Sequence, residues 1–202
     1  MKDRLRRTAR LVVLLNVGYF GIEFAVATAI GSVSLFADSI DFLEDTSVNL
    51  LLLIGLSWPA RRRARLGMVL AGVLLVPGAA ALWTAWDKFM SAVPPAGAPL
   101  ALTGLGALAV NATCALFLGR LRGQGGSLTR AAFLSARNDV LANLAIIAAG
   151  LVTAFAWRSA WPDLIVGLGI FLINLGAAGE VFAAARKELA EARDRGKLAR
   201  QV

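Results

Sequence analysis

The sequence predicts an all-α membrane protein of six transmembrane helices with both termini in the cytoplasm. Three observations predict it. Six apolar stretches recur along the 202 residues, only 17% of residues are charged, and the basic residues gather in alternate connections. A soluble domain carries about a quarter charged residues, so this deficit marks lipid as the solvent. The mean hydropathy of +0.69 agrees.

The stretches are Leu11–Ile30, Ser34–Leu56, Leu66–Trp86, Pro99–Gly119, Ala132–Trp157 and Pro162–Phe182. Each approaches or exceeds the ~20 residues that a helix needs to cross the hydrocarbon. The first is too long, and too rich in polar functional groups, for a signal peptide. Gly31-Ser32 joins spans one and two, and Trp58-Pro59-Ala60 ends span two. Pro94-Pro95-Ala96-Gly97 separates three from four, and Gly123-Gln124-Gly125-Gly126 separates four from five. Pro162 opens span six, where a first-turn proline is tolerated. Gly18, Gly21, Gly167, Gly169, Gly176 and Gly179 read as sites of close helix packing.

Orientation follows from charge. Five basic residues precede span one, four follow span two, three lie between spans four and five, and six lie after span six; these are eighteen of the 21. The opposite side holds Lys88 and Arg158, and Arg137 lies within span five. The positive-inside rule therefore puts both termini in the cytoplasm of an inner (plasma) membrane protein. An even number of spans requires the same. Arg137 either snorkels to the surface or pairs with an acid; snorkelling is the favoured reading. Trp83, Trp86, Trp157 and Trp161 fall at predicted outer ends, as in an interfacial belt, and Trp58 at an inner end. Residues 1–185 form the transport domain and 186–202 a short charged tail that reaches anionic headgroups.

Composition narrows the chemistry. The chain has no histidine and one cysteine, Cys114, so it has no disulfide framework and any metal site is built mainly from oxygen. The net charge of +8 is distributed between apolar runs, which excludes nucleic acid as its partner. No nucleophile with a neighbouring base and no phosphate-binding loop is visible, so the chain is not an enzyme and has no permanent cofactor.

Span two carries Asp38, Asp41, Glu44 and Asp45; span one carries Glu23 and span five Asp139. An aspartate at mid-bilayer costs about 2.5–3.5 kcal/mol on the mildest scale, so these groups face the bundle interior or a wet cavity. Asp41 and Asp45 are four apart and share a face, which Asp38 and Asn49 extend. Ser135, Asp139 and Asn143 repeat every four residues, and Asn16 and Glu23 lie seven apart. Asp41, Asp45 and Asp139 are the leading candidates for a metal site. Glu23 and Asp38 are read evenly as supporting or packing groups. Carboxylates so close repel one another, so an empty site holds protons and a divalent cation displaces them. Metal–proton exchange follows as an expectation.

Residues Asn16–Asn49, NVGYFGIEFAVATAIGSVSLFADSIDFLEDTSVN, resemble the first two helices of the cation diffusion facilitator family. There an asparagine and a glutamate on helix one precede G-S-x-(S/A)-L, then A-D, then a His/Asp-x-x-x-Asp pair. Here that pair is Asp41-x-x-x-Asp45. FLSARNDVLANLAIIAAGL resembles the family's second pair, with Ser135 and Asp139 at its positions. WPDLIVGLGIFLINL resembles its sixth helix.

The resemblance implies export of zinc, cobalt, cadmium, manganese or iron from the cytoplasm in exchange for protons, by alternating access, in a homodimer. It also implies that helices one, two, four and five surround the site, with three and six beside it. Two departures stand out. Ser135 replaces the usual histidine or aspartate, which leaves Asn138, water or nothing from the protein as fourth ligand. The chain also resembles a short branch lacking the cytoplasmic C-terminal domain. An all-oxygen site suits manganese, magnesium or cobalt, whereas family prevalence points to zinc, cobalt and cadmium. Two other functions compete: a proton-coupled exporter of small organic cations, which needs an aromatic-lined cavity, and a non-transporting assembly protein, which needs no ionisable stripe.

Overall fold

A computed structural model describes residues 2–55, 60–120 and 126–173. All the regular structure in these residues is helical: α1 (Lys2–Ile30), α2 (Val33–Gly55), α3 (Ala60–Ser91), α4 (Gly97–Gly119) and α5 (Gly126–Leu151). A π-helical turn, Val152–Ala156, extends α5. Trp161–Ile173 is a shorter apolar helix, labelled α6. Trp58, Gly176, Gly179 and the predicted tail lie outside the described residues.

Two helices start earlier than hydropathy suggests. α1 begins at Lys2 rather than Leu11, and α3 at Ala60 rather than Leu66. Arg61–Arg65 therefore belong to the first turns of α3. Lysine and arginine are good helix formers, so the backbone continues helical after the apolar pattern stops. By length and composition Arg6–Ile30, Gly97–Gly119 and Ala136–Ala156 are long and apolar enough to cross a bilayer. α2 does not read as a span on that basis. Its four acids lie within eight residues, so every 18-residue window of the helix contains all of them.

α1 packs along α2 and against α4, α4 packs along α5, and α3 lies on α2. α2 touches α5 far less extensively. The main apolar core lies among these elements and α6, around Leu35, Phe36, Ile40, Leu100, Ile146 and Ile170. A smaller core of Val12, Cys114, Leu118 and Ala136 joins α1, α4 and α5.

Close backbone contacts fall at Gly167, as expected, and at Gly97 and Gly150, which sequence had not marked as packing sites. A Cβ on Gly150 would stand 2.6 Å from the Ala101 nitrogen, and one on Gly97 2.7 Å from the Ala154 nitrogen, so α4 and α5 touch backbone to backbone. Gly167 fits the same way against Val33 and Ser34. Gly18, Gly21 and Gly169 would meet nothing within 4 Å, which corrects their reading as packing sites. They are spaced correctly, but among the described residues nothing approaches their Cβ positions.

Trp83, Trp86, Trp157 and Trp161 are all exposed, as a lipid-interface belt requires. Phe89 bridges two of them, with ring centroids 6.5 Å from Trp86 and 6.1 Å from Trp161.

Candidate metal site

The helix periods bring the polar stripes together. Asn16 and Glu23 on α1 are buried, and so are Asp38, Asp41, Asp45 and Asn49 on α2, Asn111 and Cys114 on α4, and Asn143 on α5. Glu44 is half-buried, while Arg137 and Asn138 are exposed. The side chain of Ser135 lies outside the described residues, so its predicted role as a ligand has no geometry here.

Two clusters emerge. The first is a chain of polar groups through the bundle. Asn143 Nδ2 donates to Asp38 Oδ2 at 2.6 Å, and Asn111 Nδ2 donates to Asn143 Oδ1 at 3.1 Å. Glu23 stands beside Asp38. Both Glu23 oxygens and Asp38 Oδ1 are buried without a hydrogen-bond donor. An unpaired buried polar group costs about 1–3 kcal/mol, and more when charged. These oxygens are therefore open positions for a proton or a cation. Nearby, the Cys114 thiol approaches Asn16 Oδ1 at 3.6 Å.

The second cluster faces a cavity of about 480 Å³ bounded by α2, α5 and α6. Asp41, Asn138 and Asp139 are its polar lining; the remainder is aliphatic or glycine. Asp41 feels the charge of Asp139 more than that of any other acid, and Asp139 in turn feels Asp45 most. Asp139 Oδ2 is buried without a donor. Glu44 does not line the cavity. Among the described residues no three histidine, cysteine, aspartate or glutamate side chains come close enough to hold one ion. The carboxylates line the α2–α5 seam without converging on a point.

One buried acid escaped sequence reasoning. Asp163, at the start of α6, accepts hydrogen bonds from the Ser32 hydroxyl at 2.7 Å, the Ser34 hydroxyl at 2.6 Å, the Val33 N–H at 2.8 Å and the Ser34 N–H at 3.1 Å. The available signal was an acid after a first-turn proline beside an apolar run. Nothing local tied it to a turn some 130 residues earlier.

Against known families, residues 9–190 match the model described as the cation efflux transmembrane domain. No curated protein matches the chain.

Proposed function

The chain belongs to the cation efflux family, and from that premise we propose that its α2–α5 seam carries a divalent metal cation of the zinc, cobalt and cadmium class across the membrane in exchange for protons. Membership makes it a multi-pass membrane transporter of cations and not an enzyme. The remainder is our reading. Asp41, Asp45 and Asp139 are the ligands, with Ser135 or Asn138 in the fourth position. Six spans place both termini in the cytoplasm, the metal leaves the cell by alternating access, and the working unit is a homodimer.

One observation carries this reading: Asp41 on α2 and Asp139 on α5, about 100 residues apart in the chain, line one cavity with Asn138. Two acids on facing helices suit a doubly charged ion, because each neutralises part of the other's burial cost. The absence of an aromatic ring from the described lining weighs against an organic cation, whose recognition relies on ring faces. The acids do not converge in this conformation. Loading therefore draws α2 and α5 together until the carboxylates share the ion, and release parts them. Protons replace the ion on the carboxylates for the return, because ligands must ionise to bind metal.

The test is flux in proteoliposomes across a panel of Zn²⁺, Cd²⁺, Co²⁺ and Mn²⁺, with and without a pH gradient. The proposal expects uptake of at least one of these ions, driven by an opposing proton gradient. Flux that ignores the gradient removes the exchange mechanism; no flux of any ion removes the metal reading.

A further inference from the structure

Glu23 of α1 and Asp38 of α2 meet inside the bundle as two carboxyl groups at hydrogen-bond distance. Both side chains are fully buried. Two carboxylates cannot make such a bond, because each only accepts; one of the pair has to carry a proton and donate it. The surroundings decide which. Asp38 Oδ2 accepts from Asn143 Nδ2 at 2.6 Å, and Asn111 steadies Asn143 in turn at 3.1 Å. Glu23 has no amide or hydroxyl donor at either oxygen. The Tyr19 hydroxyl, one turn before it on α1, gives its proton to the Thr103 carbonyl at 2.6 Å instead. A carboxylate that accepts an amide N–H is the better-stabilised anion, so the proton sits on Glu23 and Asp38 receives the bond.

The charges around the pair are of one sign. Asp41 and Asp45 act on it from α2, and Asp38 acts on Asp139 of α5. From α4 the polar chain receives Asn111, which is neutral. Among the described residues neither carboxyl has a lysine or arginine partner. The pair is also separate from the proposed ligands. Asp41 and Asp139 line the cavity, whereas Glu23 and Asp38 do not. Nor do three such side chains among the described residues come close enough to hold one ion.

We propose that Glu23 and Asp38 hold one of the exchanged protons between them, at a site that the metal does not touch. With no ion bound, the charges beside the pair are other acids, which keep the proton in place. A divalent cation between Asp41 and Asp139 puts positive charge there instead and favours ionisation of the pair. The O–H bond at Glu23 then breaks, one forms at Asp38 and breaks in turn, and water reaching the cavity takes the proton. Asp38 is three residues from Asp41 at the cavity wall, which makes it the outlet. Departure of the cation draws a proton back by the same route. The proposal rests on the exchange reading, and adds to the protons on the ligands one that is stored apart from them.

Proton release on Zn²⁺ binding tests it, read in detergent from the dependence of binding heat on the buffer's ionisation heat. Wild type is compared with Glu23→Gln, which keeps a donor to Asp38 but has no proton to give up. Asp38→Asn is the second variant; it leaves Glu23 neutral with no anion to receive its proton, and either variant decides if only one folds. Both are expected to bind Zn²⁺ within about twofold of wild type and to release about one proton fewer per ion. Turnover slows by about tenfold or more. Infrared spectra of the ion-free protein give an independent reading: the carbonyl band of a protonated carboxyl weakens in Glu23→Gln. Proton release equal to wild type overturns the proposal, and so does unchanged turnover with release lowered by one proton. Loss of Zn²⁺ binding in a folded variant makes the pair part of the metal site and overturns it as well. An infrared band indifferent to Glu23→Gln overturns the placing of the proton. A wild type that binds no ion, with the band still dependent on Glu23, overturns the exchange reading and the release step but leaves the shared proton standing.

Discussion

α2 meets buried acids at two levels, and they are built in opposite ways. At its first turn Asp163 receives four donors and has a lysine nearby. One to three turns further on, Glu23, Asp38 and Asp139 leave buried oxygens with no donor. A saturated carboxylate is a fastening, because any further partner has to displace one it already holds. An undersupplied carboxylate in a low-dielectric bundle has no such obligation, and its burial cost falls when a cation or proton arrives. Burial alone does not separate the two classes; the count of donors does.

The comparison breaks most readily at the undersupplied level. Asp139→Ala or Asp41→Ala each removes half of the facing pair. Transport falls more than about 100-fold, beyond the ~10–100-fold usual for loss of a supporting residue, while membrane expression is retained. Flux per unit of protein in proteoliposomes checks this. Normal transport by both variants would show that the cavity acids are bystanders.

The polar chain sharpens the comparison at intermediate size. Asn143→Ala takes the amide donor from Asp38 Oδ2 and leaves Glu23 as the neighbouring side chain that shares a hydrogen bond with that carboxylate. Loss of a hydrogen bond to a charged group costs about 1.5–3 kcal/mol. Asn111→Ala acts one link further away, since Asn111 donates to Asn143 and not to an acid. A neutral bond is worth about 1 kcal/mol, so its melting temperature in detergent falls less than that of Asn143→Ala. Equal losses would mean that the chain does not act through Asp38.

Sequence carried the undersupplied level further than the saturated one. The four-residue spacing of Asp41 and Asp45, and of Asp139 and Asn143, fixed which helix faces are polar, and all four groups do turn inward or toward the cavity. Periodicity acts within a helix and says nothing about the height at which a neighbour crosses. The Asn143–Asp38 bond and the Asp163 cap were therefore invisible, although each residue could be named. The same limit explains the glycines. Gly167 packs because α6 crosses α2 there, whereas Gly18 and Gly21 have identical local credentials and, among the described residues, nothing within 4 Å of their Cβ positions. Hydropathy likewise found the apolar parts of α1 and α3 but not their arginine-bearing first turns, which are helical without being apolar.

That difference among glycines yields the smallest predicted effect and tests whether the described helix faces are complete. A glycine inside a helix costs about 0.5–1 kcal/mol relative to alanine when the new methyl meets nothing. At Gly18 it meets nothing within 4 Å, so Gly18→Ala raises the melting temperature slightly and leaves transport unchanged. At Gly150 the same methyl stands 2.6 Å from the Ala101 backbone nitrogen, which cannot rotate away as a side chain can. Gly150→Ala therefore separates α4 from α5 and destabilises the fold by the ~1–3 kcal/mol typical of overpacking. The two substitutions shift stability in opposite directions, and paired melting curves read the sign. A destabilised Gly18→Ala would reveal a surface packed closely on that side of α1, such as a second copy of the chain.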